Sequence, residues 1–194
     1  MRKPRSSRSP RPVRQARLAS DTCASPAVVH SRSLAETVKL GHTIGSLARG
    51  GEVFALYGEV GAGKTAFVRG LASGLGAAPR NVTSPTFVLI HEYHGRLRLA
   101  HADLYRLGSP ATVAHVGLEE YFDGQTVVAV EWAERALNEL PLDRMDIQFS
   151  HHSQTERTVT LSATGSRAQE TLTRVVTQTS HMRAAKVSKK DASC

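Results

Sequence analysis

The chain has 194 residues, enough for one domain with a proper core and hardly for two. Its formal charge of +8 is unevenly spread: residues 1–32 hold eight Lys/Arg against one acid, residues 165–194 six against two, and the stretch between them eleven against fourteen. No apolar run approaches membrane-spanning length, the N-terminus has no apolar signal core, and Cys23 and Cys194 lack any metal-type spacing, so we expect a soluble, cytoplasmic protein without a structural disulfide.

In chain order, "MRKPRSSRSPRPVRQAR" is rich in Arg, Ser and Pro and poor in large apolar residues, the composition of a disordered arm, drawn here over 1–32. Such an arm suits three roles: RNA attraction, an organelle transit peptide, or an extension without function. Ser33 then opens a helix with an S-x-x-E capping box completed by Glu36, and Gly50–Gly51 stop it. Val53–Tyr57 reads as a strand, followed by a glycine-rich loop and a helix with Phe67, Leu71 and Leu75 on one face. "TFVLIHEY" (86–93) is a buried-strand candidate and "RLRLAHADLY" (96–105) a half-buried one, with a tight "HG" between them that predicts an antiparallel hairpin. "GLEEYF" predicts a short helix, "TVVAVEW" (126–132) a buried strand, and "AERALNEL" a short helical stretch. "MDIQFSHH" and "RTVTLSAT" predict two late strands, and 165–194 a flexible basic tail. Interleaved strands and helices point to a three-layer α/β domain over 33–164 with a mixed, parallel and antiparallel, central sheet.

The loop carries the most specific chemistry. Gly58 to Thr65 reads G-x-x-x-x-G-K-T, the pattern of a phosphate-binding P-loop between a strand and a helix. Gly58, Gly61 and Gly63 allow positive φ, so that the backbone N–H groups along Glu59, Val60 and Ala62 can turn inward as an anion nest. The helix N-terminus adds unpaired donors. Lys64 is placed to reach β- and γ-phosphate oxygens and Thr65 to offer a hydroxyl to Mg²⁺. Glu131 ends the apolar run Val127–Val130, where a strand delivers a carboxylate to the phosphate edge and hence to the metal; the bland alternative is an ordinary strand-end Glu. Asp103 ends another strand-like run and is a candidate to orient or deprotonate water, against the alternative of a turn-starting Asp. "NVTSPTF" (81–87) sets Thr83, Ser84 and Thr86 around a proline, as a loop sensing γ-phosphate does, or as a simple cap before a strand. His91 and His94 point to opposite faces of a strand, as do His151 and His152, so no zinc site is expected.

Taken together, "GEVGAGKT", "VTSPTFVLIHEY", "HADLYRL", "GLEEYF" and "VEWAE" resemble the TsaE (YjeE) family, in order and spacing, over residues 33–164. These are P-loop ATPases required for threonylcarbamoyladenosine (t6A) formation in tRNA. The resemblance implies ATP and Mg²⁺ as cofactors, docking on a TsaB–TsaD pair, contact with tRNA only through that complex, and hydrolysis that supports the TsaD cycle after TsaC has made the threonylcarbamoyl-adenylate. It implies that Glu59 to Thr65 form the phosphate loop, that Thr65 and Glu131 serve Mg²⁺, and that Thr83 to Phe87 form a switch-like loop. It further implies a hydrolytic role for Asp103, a match of Trp132 to the tryptophan after the metal-site glutamate, and a nucleotide contact for Arg157. Ala66, Ala102 and Ala133 depart from the family's usual residues without removing a charge or hydroxyl the chemistry needs. The alternatives are a small-molecule P-loop kinase, which needs an acceptor pocket and usually a lid, and a GTPase or nucleotide-gated binding module, of which a guanine-reading GTPase needs an N-K-x-D loop that this sequence lacks.

Overall fold

The run Val53–Tyr57 has no polar alternation because it is hydrogen-bonded on both sides and covered on both faces. In the computed structural model, which describes residues 25–78, 89–107, 116–153 and 155–191 (backbone alone for 180–191), this run is the pivot of the sheet. The strands are β1 (Ala27–Ser31), β2 (Val53–Tyr57), β3 (Ile90–His94), β4 (Arg98–Asp103), β5 (Val127–Glu131), β6 (Arg144–His151) and β7 (Arg157–Thr164). The helices are α1 (Leu34–Leu47), α2 (Lys64–Gly74) and α3 (Ser166–Asp191). The sheet runs β1-β7-β6-β2-β5-β4-β3. The block β6-β2-β5-β4 is parallel, and β1, β7 and β3 add antiparallel margins, so the expected mixed α/β sheet is what forms.

Strand alternation divides the core in two. Phe54, Leu56, Leu99, Val127, Ala129 and Ile147 pack with the helices, while Val53, Ala55, Ala102, Val128 and Val130 face a thinner layer of loops and 3-10 turns at Leu118–Tyr121 and Ala133–Ala136. The three layers are therefore unequal. Helices α1 and α2 approach closely: a Cβ on Gly41 would lie 2.1 Å from the Phe67 carbonyl oxygen, and one on Gly70 2.0 Å from that of Val38. Ser33 caps α1 by accepting from Glu36 N–H, and Glu36 reaches back to the N–H of Arg32. The helix stops at Leu47, ahead of Gly50–Gly51, and its last carbonyls are met by distant guanidinium groups, Arg96 on Gly45 and Ala48 and Arg174 on Leu47.

Three expectations are corrected. The sheet begins at Ala27, inside the stretch assigned to a disordered arm (1–32), because β1 pairs antiparallel with β7 along its whole length. The stretch 165–194 is not merely a flexible tail: α3 runs from Ser166, with Asp143 capping its first turn and Ala168, Leu172 and Val175 buried in the helix-side core. Finally, the hairpin forms, but β3 is an edge strand on which only Tyr93 is buried. Its upstream residues Thr86 to Val88 lie outside the described residues. Among the described residues no helix is long and apolar enough to cross a membrane.

Candidate active site

The parallel block brings several chemically capable groups to one edge. β5 and β6, successive in the chain, lie on opposite sides of β2, so a crevice opens at the carboxyl end of β2. The loop Gly58–Gly63 starts at that point and runs into α2 at Lys64. Register then aligns Glu131 with Leu56 on one side and with Asp103 on the other. Because side chains alternate, His101, Asp103 and Glu131 share the helix-facing side of the sheet with α2.

Within the loop, Gly58, Gly61 and Gly63 have φ of 133°, 80° and 106°, the left-handed conformations the pattern requires. Ala62 N–H donates to the Glu59 carbonyl at 3.2 Å, and Phe67 N–H donates to Gly63 at 2.9 Å, starting the helix. Val60 stands out into solvent at the loop tip. Lys64 is buried at 4% exposure; its Nζ donates to the carbonyls of Gly58 and Glu59, the latter at 2.9 Å, and lies 4.0 Å from the Trp132 ring centre. Burial pushes the Lys64 ammonium below the usual lysine range, while Glu131, Glu134 and Asp103 pull it back. The ammonium thus lies folded over the phosphate loop.

Thr65 Oγ1 donates to Glu131 Oε2 at 3.1 Å, and His101 Nε2 lies 2.9 Å from the other oxygen, Oε1. A hydroxyl and a carboxylate in contact are hard oxygen donors, the pair that suits Mg²⁺ when phosphate and water complete the shell. Asp103 is buried at the end of β4 and accepts from Tyr105 N–H at 3.0 Å. Trp132 follows Glu131 with φ of 60°, among the described residues the only non-glycine with positive φ, and packs against Tyr105 with ring centres 4.9 Å apart.

Arg157, at the start of β7, is 3% exposed. Its Nη1 donates to Thr37 Oγ1 at 3.1 Å, and Thr37 Oγ1 in turn lies 2.9 Å from Ser31 Oγ. Its Nε has no partner among the described residues, and a methyl group on Gly63 would stand 3.6 Å from it. A buried cation with a spare donor beside the loop suits an anion. An open cleft of about 650 Å³ flanks the loop, lined by Tyr57, Glu59, Trp132, Glu134 and Gln148.

The structure therefore brings together Gly58 to Thr65, Asp103, Glu131, Trp132 and Arg157. Thr83, Ser84 and Thr86 lie outside the described residues. His101 and Thr37 were not among the expected residues. His101 carries a readable signal, since it stands two residues before Asp103 on a strand and so shares its face. Thr37 carries none, because its partner Arg157 is 120 residues away.

The family model for "Threonylcarbamoyl adenosine biosynthesis protein TsaE" matches residues 31–159. The tRNA threonylcarbamoyladenosine biosynthesis protein TsaE of Treponema pallidum is 47% identical over 111 residues, covering 57% of this chain and 82% of that protein. Its namesake in Bacillus subtilis is 42% identical over 133 residues, covering 68% and 82%. Among solved structures, Bacillus subtilis YdiB superposes with a TM-score of 0.67 at 33% identity, covering 79% of this chain and 96% of that one.

Proposed function

The chain belongs to the TsaE family of tRNA threonylcarbamoyladenosine biosynthesis, and from that premise we propose that it binds ATP with Mg²⁺ and hydrolyses it slowly alone. We read hydrolysis as becoming productive when the chain docks on a TsaB–TsaD pair acting on tRNA. The observation that carries the reading is the contact between Thr65 and Glu131 at the foot of a P-loop. It joins a phosphate cradle to a metal-type oxygen pair on neighbouring elements.

In this reading Lys64 leaves the carbonyls of Gly58 and Glu59 for the β- and γ-phosphates, exchanging neutral acceptors for charged ones. Backbone N–H groups of the loop and of the first turn of α2 bind the remaining phosphate oxygens. Arg157 offers its free Nε to the nucleotide from the side of Gly63. Thr65 and Glu131 would hold Mg²⁺, which would supply charge neutralisation to the bound triphosphate. Asp103 orients or deprotonates the attacking water, and the "TSPTF" loop senses the γ-phosphate. The chain is an accessory ATPase; the threonylcarbamoyl transfer itself belongs to its partners.

Calorimetric titration with ATP and GTP, each with Mg²⁺, tests the reading. ATP is expected to bind and to stabilise the fold by about 2.7 kcal/mol at a hundredfold excess over Kd. GTP is expected to do distinctly less. Equal binding of GTP would sink the adenine assignment, and phosphate transfer to a metabolite would favour a small-molecule kinase.

A further inference from the structure

His101 has no exposed surface, yet it is polar and sits on a strand whose neighbouring inward position is Leu99. Burying an imidazole is unfavourable unless its nitrogens are bonded, and leucine would fill such a place without that cost. Among the described residues His101 makes one side-chain hydrogen bond, Nε2 to Glu131 Oε1 at 2.9 Å, and its buried Nδ1 has no partner. An ionised carboxylate only accepts, so the proton in this bond belongs to Nε2. Glu131 is thereby held at both oxygens, Oε1 by His101 and Oε2 by Thr65. The two bonds together hold the plane of the carboxylate and keep Oε2 at the loop.

We propose that His101 is a positioning residue for this ATPase: its Nε2–H anchors Oε1 of Glu131 so that Oε2 is presented, with the Thr65 hydroxyl, to the Mg²⁺ of the bound nucleotide. The inference rests on the metal role given to Glu131 above. Outer-shell partners of this kind govern metal affinity and turnover by roughly 10–100-fold.

The test compares His101→Leu, which fills the space without a donor, with His101→Gln, whose terminal amide stands at the same bond separation from the backbone as Nε2. Full-length variants are titrated calorimetrically with ADP at a series of Mg²⁺ concentrations, and kcat and KM for ATP are measured beside them. His101→Leu is expected to raise the half-saturating Mg²⁺ and lower kcat, each about tenfold or more. Its nucleotide affinity without Mg²⁺ is expected to stay unchanged, and His101→Gln to recover most of the loss. If His101→Leu does not fold, His101→Asn, whose shorter amide cannot reach Oε1, replaces it. Mg²⁺ dependence and kcat at wild-type levels in the donor-less variant would overturn the proposal. So would equal losses in the Leu and Gln variants, which mark a packing role. If the wild type itself binds nucleotide with no response to Mg²⁺, the metal role of Glu131 fails first, and the anchoring role falls with it.

Discussion

Lys64 and Glu131 both border the loop but do different work, and their variants separate accordingly. Lys64 is the ammonium that faces the phosphate loop, and no backbone dipole replaces a full charge at short range. Lys64→Ala is expected to weaken triphosphate binding and abolish turnover, as calorimetry and a phosphate-release assay will show. Glu131→Gln keeps the shape and one acceptor but removes the charge proposed to meet the metal. ATP is expected to bind still, while hydrolysis falls by orders of magnitude. Wild-type turnover in that variant at saturating Mg²⁺ would reduce Glu131 to an ordinary strand end. The loop itself is legible in the sequence because a P-loop is a local pattern: Gly58 to Thr65 needs no distant residue to be recognised. The Arg157–Thr37–Ser31 chain is different, since Arg157 meets Thr37, 120 residues upstream, only when β7 closes against β1 and α1.

At the scale of elements, the placement of the loop depends on how tightly α2 is held. Helices α1 and α2 touch backbone to backbone, and a methyl group at position 70 would enter the space of the Val38 carbonyl. Gly70→Ala is therefore expected to destabilise the fold by about 1–3 kcal/mol through forced separation of the helices, although alanine is the better helix former. A denaturant midpoint at or above the wild-type value would contradict this close-packed account. The central strands were legible because they are buried on both faces and read as unbroken apolar runs, β2 and β5 above all. β1 was not, for an edge strand of five residues contributes backbone pairing more than apolar pattern, and Val28 and His30 face solvent. In α3 the buried Ala168, Thr171, Leu172 and Val175 do have helical spacing. They are diluted among polar residues, and the cap comes from Asp143, far upstream.

For the whole molecule, the domain is larger than its family-like blocks. Ending the chain at residue 164 removes Leu172 and Val175 from the core, each contributing about 1.5–3 kcal/mol of burial. That is a large part of the 5–15 kcal/mol typical of a folded domain. The truncated protein is expected to melt far lower or to aggregate, and an unchanged melting temperature would show that α3 is dispensable. Removing residues 1–31 is expected to lower the melting temperature as well, since it strips β1 from β7 and the Ser31 hydroxyl from Thr37. What the assembled fold achieves is the alignment of a phosphate loop with an anchored carboxylate, in a chain expected to need partners for productive hydrolysis. The measurement that tests this most directly is steady-state ATP hydrolysis by the full-length protein, with and without a purified TsaB–TsaD pair, beside Glu131→Gln under the same conditions. The account predicts slow turnover alone, a clear change when the pair is added, and loss of both activities in Glu131→Gln while ATP still binds. Fast turnover indifferent to the pair, or full activity in Glu131→Gln, would contradict it.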